Sequence, residues 1–439
     1  MGLIFKREST KRTRNELESI LYSHLINSSP VSFYDYDRED FISKGYVQNS
    51  DVYTIVKKIV DTCSVAKPYI YIDKTGVKSK SISKTTKEGY LRSKLHVAKN
   101  LEFADYDNDL AELIRHPNGY QTWTDFSNLR RTFYFVQGEQ LVYRESGNDS
   151  CAISLHVVPS NKAEAIIDNT GTITAWRIDI GYKQNRTIPA EDVFFMGMPN
   201  PVYDNKAGQR RGLSPLVSGL KYLQLSDKSL EAWVRSVENE GAKGLISPNH
   251  NNPELWLTPE QVVSTEEKVQ DKIHGFKNKN KVVVSGMPLQ YTQIGLSPEA
   301  MNVISGLDNA FVKLCNIWGV PPALFDPNPT YDNQRISAER LLKEVVLPYL
   351  NADEDRFNQW LVEPFVIRDG KEYIFDYDLS DYDALKLKAE EIESLRKILT
   401  TNEIRVLSGY DEFAEESAGQ ILVESGLIPI SDLSMALDV

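Results

Sequence analysis

Two stretches decide the fold: GLSPLVSGLKYLQLSDKSLEAWVRSVENEG at 212–241 and LSPEAMNVISGLDNAFVKLCNIWGVP at 296–321. Each opens on Ser-Pro, an N-cap followed by a proline at the first helical position, where its missing N–H costs nothing. In the first, Leu216, Leu220, Leu223, Leu230, Val234 and Val237 recur at three-four spacing, interrupted by Asp227, and Gly241 is a natural stop. In the second, Ala300, Ile304, Leu307, Phe311, Leu314 and Trp318 share one apolar stripe that Gly319 and Pro321 end. At ~1.5 Å per residue the two helices reach roughly 40 Å and roughly 30 Å. The pattern predicts two long helices flanking an insert.

The insert has its own small architecture. Gly244–Ser247 reads as a strand, Thr258-Pro-Glu-Gln261 as a capping box opening a helix toward His274, and Lys281–Ser285 and Leu289–Ile294 as strands around Gly286. After the second long helix, the segment from Pro321 to Pro329 cannot be helical throughout, because of its prolines. A further long helix is expected from Asp332 to Leu361. Pro348 lies inside it and should kink it, since an interior proline costs ~3 kcal/mol in a straight helix. Tyr373–Tyr377 reads as a strand, and the tail as helices at Tyr382–Leu399, Asn402–Ser408 and Glu412–Ser425.

Upstream, residues 1–48 read as a polar arm with a short helix near Arg14–Leu25, followed by a helix over Val52–Val65 and a strand at Tyr69–Asp73. Gly76–Thr86 is Lys/Ser-rich and expected to be a mobile loop. A helix is expected over Ala104–Arg115. Strand patterns then fall at Thr132–Val136, Leu141–Arg144, Ile153–Val158, Ala165–Asp168, Ile173–Ile178 and Asp192–Met196, an antiparallel module with turns such as Asn169-Thr-Gly171. There is no fixed-period repeat. The chain reads as α+β.

The 439 residues, 41% hydrophobic and 10% aromatic, are enough for a packed core. No stretch approaches the ~18 apolar residues of a spanning helix, and the N-terminus lacks the apolar run of a secretory signal. Three distant cysteines, Cys63, Cys151 and Cys315, imply a reducing compartment and no disulfide framework. The net charge of −12 is local: from Asn351 onward there are 21 acidic against 8 basic residues, leaving 42 basic against 41 acidic before it. Such a chain should not grip DNA by broad phosphate neutralisation.

Catalytic motifs are absent: no G-x-x-x-x-G-K-[ST], G-x-G-x-x-G, H-E-x-x-H, C-x-x-C or G-x-S-x-G. The six histidines never pair at i,i+3 or i,i+4. No catalytic residue, cofactor or metal is therefore expected. One basic cluster stands out: Lys268, Lys272, Lys277, Lys279 and Lys281, in the insert. It reads either as a solvated helix end and turn or as a contact patch for an acidic partner or DNA phosphates. The Pro-Asn-Pro segment reads either as a surface connector or as a stiffened loop reaching into a ring's bore.

The order of segments resembles the portal family of long-tailed double-stranded DNA bacteriophages, collinearly from Asn49 to Arg405. The helix from Asn49 precedes Lys67-Pro68 as in that family. His116-Pro-Asn-Gly-Tyr-Gln-Thr122 is similar to its "PN…qt" connection and Pro189-Ala-Glu-Asp-Val193 to its "edV" strand. Gly212-Leu-Ser-Pro-Leu216 resembles the lead-in to the first stem helix, and Trp318-Gly-Val-Pro-Pro-Ala-Leu324 the "GVPP-x-L" after the second. Leu347-Pro-Tyr-Leu350 resembles "L-x-P" with the proline one place early, and Thr401-Asn-Glu-Ile-Arg405 the "NEIR" segment. One departure is Gln137-Gly-Glu-Gln140, which replaces a Gly-Asn-aromatic turn.

The resemblance implies a non-enzymatic structural protein of the virion, assembled in the host cytoplasm into a twelve-fold ring at one capsid vertex. Double-stranded DNA passes through its bore transiently and without sequence preference. The terminase large subunit, capsid, scaffolding and neck or adaptor proteins are its partners, and no membrane is involved. By segment, it implies an arm at 1–25, a wing at 26–214 and 363–381, stem helices at 215–242 and 297–319, a clip at 243–296, a tunnel loop and kinked helix at 320–362, and a crown at 382–439. Phe325, Asn328, Thr330, Asn333, Gln334 and Arg335 would line the channel, and the five lysines would meet the terminase or an adaptor. A non-portal head-completion or connector ring is the alternative.

Overall fold

The computed structural model describes residues 38–75, 82–147, 150–168, 171–179, 185–202, 210–238, 244–248, 289–293, 303–423 and 428–429. A short helical segment over Arg38–Val47 leads to α1 (Ser50–Cys63). Asn49 caps α1 by accepting from the Val52 N–H at 3.0 Å, and Val52, Ile55, Val56, Ile59, Val60 and Cys63 are all buried on one face. Then come β1 (Lys67–Asp73), α2 (Lys87–Asn100), β2 (Leu101–Phe103), α3 (Asp109–Arg115) and α4 (Trp123–Gln137).

The strand-rich module follows: β3 (Glu139–Ser146), β4 (Ala152–Val158), β5 (Ala163–Ile167), β6 (Ile173–Asp179), β7 (Asn185–Pro189) and β8 (Val193–Gly197). They form two antiparallel sheets, β4-β3-β8 and β5-β6-β7. Leu141, Val158, Ala163, Trp176, Ile178 and Val193 fill a small core between them.

The helix pair is α5 (Pro215–Glu238) and α6 (Val303–Ile317), with the antiparallel strands β9 (Gly244–Pro248) and β10 (Leu289–Gln293) between them in sequence. The helices pack antiparallel. A Cβ on Gly219 would lie 2.6 Å from Ile317 Cδ1, and one on Gly306 3.7 Å from Ser229 Oγ. Gly219 is there because a side chain would push the pair apart.

The expected long helix runs further than the sequence suggests, through α7 (Tyr331–Leu341), α8 (Leu347–Phe357) and α9 (Glu363–Asp369). π-Turns at Leu342–Val346 and Asn358–Val362 join the three pieces. Each π-turn ends two residues before a proline, Pro348 and Pro364. The Leu347 N–H reaches back five residues to Leu342 O, and the Glu363 N–H to Asn358 O. An inserted residue widens the turn where a proline ring would strike the i−4 carbonyl. β11 (Tyr373–Asp378) then returns to pair with β1 in the sheet β11-β1-β2, Tyr69 opposite Asp376. Short helices α10 (Ala389–Leu395) and α11 (Thr401–Leu407) and the pair β12 (Leu422–Val423) and β13 (Ile428–Pro429) complete the described chain.

Several expectations are corrected. Thr132–Val136 is not a strand but the last turns of α4, which a capping box between Thr122 and Asp125 opens. The aromatic and β-branched run Thr-Phe-Tyr-Phe-Val carries strand propensity, and tertiary packing overrides it. The helix expected over Ala104–Arg115 is only Asp109–Arg115, because Asn108 caps it by accepting from the Leu110 and Ala111 N–H groups. Tyr382–Leu399 contains a 3-10 turn at Asp383–Leu385 and then α10. In its described part, 412–423, the helix expected over Glu412–Ser425 does not form: a 3-10 turn at Glu416–Gly419 precedes β12. Of the expected loop 76–86, the described part holds Lys84 buried. The helices expected near Arg14–Leu25 and from Thr258 to His274, and the strand Lys281–Ser285, lie outside the described residues.

Candidate functional site

The last carbonyls of a helix have no partner within it. In α4, two of these carbonyls become the anchorage of the helix pair. Ser214 Oγ donates to Val136 O at 2.6 Å while accepting from the Leu216 N–H at 3.2 Å, so one hydroxyl both starts α5 and ties it to α4. At the end of α6, beside the start of α5, the Trp318 indole N–H donates to Phe135 O at 2.8 Å. Gly319, at φ 69°, makes the turn that lets the chain leave α6. The two Ser-Pro/Gly-Val-Pro motifs thus meet on one helix end. Midway along α5, Asp227 breaks the apolar stripe for a reason: the Asn49 amide donates to it at 2.7 Å. Burial raises the Asp227 carboxyl above its ordinary value, partly offset by that bond.

The turn after α4 is equally constrained. Gly138 has φ 76°, and a Cβ there would lie 2.0 Å from Leu213 O. Glu139 is fully buried and accepts from Arg211 Nε at 3.1 Å and from the Gly212 N–H at 2.7 Å, with the Arg38 guanidinium beside it. The peptide leading into α5 is therefore held by a carboxylate between two arginines.

Gln140, on the opposite face of β3, joins a second buried cluster. Arg130 grips Asp353 of α8 with both ends of its guanidinium, at 2.5 and 2.7 Å. Gln140 donates to Asp353 at 3.1 Å and accepts from Tyr349 Oη at 3.1 Å, and Tyr377 Oη donates to Asp353 at 2.7 Å. Arg130 and Asp353 are wholly inaccessible. Burial opposes the charge on Arg130, and the Asp353 carboxylate overrides it, holding the guanidinium protonated. Its neighbour Arg131 is equally buried, yet its Nε and Nη2 have no hydrogen-bond partner.

The expected channel residues separate on inspection. Phe325 is half-buried and packs edge-on against Phe311 of α6 at 5.3 Å. Asn328, Thr330, Asn333, Gln334 and Arg335 are exposed. Thr330 Oγ1 caps α7 by accepting from the Asn333 N–H at 3.4 Å. Arg335 pairs with Glu339 at 2.8 Å and Asp332 at 3.7 Å, so its charge is partly neutralised. Tyr331, 80% exposed, stands beside them. The lysines at 268, 272, 277, 279 and 281 lie outside the described residues. Sequence reasoning missed Arg130, Glu139, Gln140, Arg211 and Asp353. The only signal was the run of polar residues at 137–140 between two apolar segments.

Among the described residues, no group of three or more His, Cys, Asp or Glu could hold a metal ion. The polar chemistry is structural: carboxylates and guanidiniums join a helix pair, a sheet and a segmented helix. This defines an α+β protein with a long antiparallel helix pair.

The profile of the family described as Phage portal protein matches residues 90–409, and the chain belongs to that family. Its fold is similar to the neck of an empty GTA particle, at TM-score 0.59 and 17% identity over 89% of this chain and 98% of the other. It is also similar to an HK97 family phage portal protein from Corynebacterium diphtheriae, at TM-score 0.50 and 14% identity over 78% and 94%. An uncharacterised protein of Rickettsia bellii is 23% identical over 69% of this chain and 78% of its own length.

Proposed function

We propose that this chain is the portal subunit of a tailed-phage-like particle, closing into a ring of twelve through which double-stranded DNA is packaged and released. The observation that carries the reading is the family match across 90–409, which spans both helices of the pair, the proline segment and the segmented helix. The similarity to a GTA neck reconstructed with C12 symmetry supports a closed cyclic assembly. Such a ring needs two different faces on each subunit. In this reading α5 and α6 are the stem, residues 243–296 the clip, 320–362 the tunnel segment and 382–439 the crown. The ring sits at one capsid vertex of the virion and acts as a passive channel, without catalysis.

Asn328, Asn333 and Gln334 suit a bore. Neutral groups can touch phosphates without releasing counterions, so they add little salt-dependent grip. Phe325, Thr330 and Arg335 complete the proposed lining, with Phe325 packed on Phe311 and Thr330 capping the helix that follows. The lysines at 268, 272, 277, 279 and 281 dock the terminase or an adaptor. Lys277→Glu, Lys279→Glu and Lys281→Glu together should leave rings intact and abolish packaging; normal packaging by that variant would remove the docking assignment. The reading as a whole is tested by electron microscopy of the purified chain viewed down the particle axis. Closed rings with a central hole are expected; monomers or solid discs, or ATP turnover by the chain, would overturn it.

A further inference from the structure

The C-terminal helices sit on the rest of the molecule in an unusual way. α2, against which they pack, buries only Tyr90 and Ser93 in its 14 residues. α10 buries none, and α11 only Leu407. Lysines of α2 make the polar part of the contact. Lys87 Nζ pairs with Glu391 at 2.6 Å and donates to Lys386 O at 2.8 Å. Lys94 Nζ donates to Leu407 O at 3.2 Å, and Lys99 pairs with Glu403 at 2.5 Å. Three lysines on one helix therefore hold both α10 and α11.

The acidic partners have a second duty. Glu391 accepts from the Lys388 N–H at 2.8 Å and Glu403 from the Thr400 N–H at 2.9 Å, each capping the first turn of its own helix. Each carboxylate is thus pre-oriented whether or not a lysine reaches it. Two open clefts lie against α2, beside the buried Tyr90. These clefts, of about 260 and about 330 Å³, share Lys84, Ser93, Val97 and Asp376 in their walls. Lys84 bridges Glu354 of α8 and Asp376 of β11, fixing the loop before α2 to the core.

We propose that α2 and the helices α10–α11 form an ionic latch, by which the C-terminal helices undock and redock as a unit while the sheet and the segmented helix stay folded. The reason is the imbalance of forces. In α10 and α11 only Leu407 is fully buried, and the other apolar residues of α11 are half-buried. The lysine–carboxylate pairs are partly exposed, and salt screens such pairs. The core around Arg130 and Asp353 is sealed from solvent and is not screened in that way. Segments with few buried apolar contacts open first. Tyr382 and Leu385, both buried, remain the fixed end of the moving unit.

The test is amide hydrogen exchange on the full-length protein at low and high salt. Between about 50 mM and about 500 mM NaCl, protection of residues 389–407 should fall about tenfold. Protection of α4 should not change. The variant Lys87→Met, Lys94→Met, Lys99→Met should show at low salt the exchange that the unaltered protein shows at high salt. It leaves both helix caps intact. If protection of 389–407 is independent of salt, or if α4 loses protection in step with it, the latch does not exist. A triple variant with unchanged low-salt protection would refute it equally.

Discussion

Arg130→Met isolates the buried cluster that ties α8 to α4. The side chain is close in length and apolar, so packing against Phe357, 4.7 Å from the guanidinium carbon, is largely kept. What is lost is the cation paired with Asp353, which is fully buried. Two charge-assisted bonds go, together with the Arg130 donations to Gln140 and Tyr377. Removing one partner of such a pair leaves a carboxylate stranded in low dielectric, at about 3–5 kcal/mol. Against a total stability of roughly 5–15 kcal/mol, this is enough to empty much of the folded population. The double variant Arg130→Met, Asp353→Leu removes both charges and should recover to within about 1 kcal/mol of the unaltered chain, since apolar replacements of whole buried pairs are often neutral. Urea denaturation read by tryptophan fluorescence compares the three proteins. A loss below about 1 kcal/mol in the single variant, or a double variant no better than the single, would mean that water or another group already solvates Asp353.

Arg131→Met should behave oppositely: with two guanidinium nitrogens lacking partners, its removal should leave the urea midpoint unchanged or raise it. Gly138→Ala places a Cβ against Leu213 O at a φ of 76°, so it should lower stability by at least about 2 kcal/mol and cut soluble yield. Glu391 and Glu403 both sit below their ordinary 4.5 in the folded chain; for Glu391 the Lys388 N–H and then Lys87 hold it down, and for Glu403 Lys99 and the Thr400 cap outweigh burial. A lowered carboxylate stabilises above its unfolded value and loses that effect as pH falls through the folded one. Protection of 389–407, corrected for intrinsic exchange, should therefore be full above about pH 4.5 and decline below it, before that of α4.

The sequence was most legible where one chemical device is strong and local. Ser214-Pro215 starts α5 as expected, and periodicity alone revealed the helix pair. The segmented helix was recognised, but it was ended too soon. The π-turn that accommodates Pro364 has no signature in periodicity. α4 is not foreseen as a helix at all, and its closing residues read as a strand, which they favour when taken alone. α2 was missed because it is barely amphipathic: a helix held by lysines on neighbouring carboxylates leaves no apolar stripe to find. The buried ion pairs were illegible for a different reason. Arg130 and Asp353 are far apart in sequence, and each alone reads as a surface charge.

The departure at Gln137–Gln140 explains how those distant parts work together. Side chains of successive strand residues point to opposite faces. Glu139 on one face fixes the peptide at Arg211 and Gly212 that leads into α5; Gln140 on the other reaches Asp353 and Tyr349 on α8. Gln137, just before the turn, donates to Arg38 O at 2.7 Å, and Gly138 lets the turn close against Leu213. Four consecutive buried residues thus connect the start of the helix pair to the segmented helix through a rigid strand. A displacement of α8 would have to break hydrogen bonds to Gln140 or carry β3, and with it the foot of α5. Glu139→Gln should keep the size and lose the charge that two arginines share. A 2.7 Å acceptor for the Gly212 N–H would survive only if the amide oxygen faces it, leaving the amide nitrogen against Arg211. The expected result is a loosened foot of α5, seen as faster exchange at 212–218, with α8 unchanged. Equal loosening of both would show that the two faces of β3 are not independent supports but one cooperative cluster.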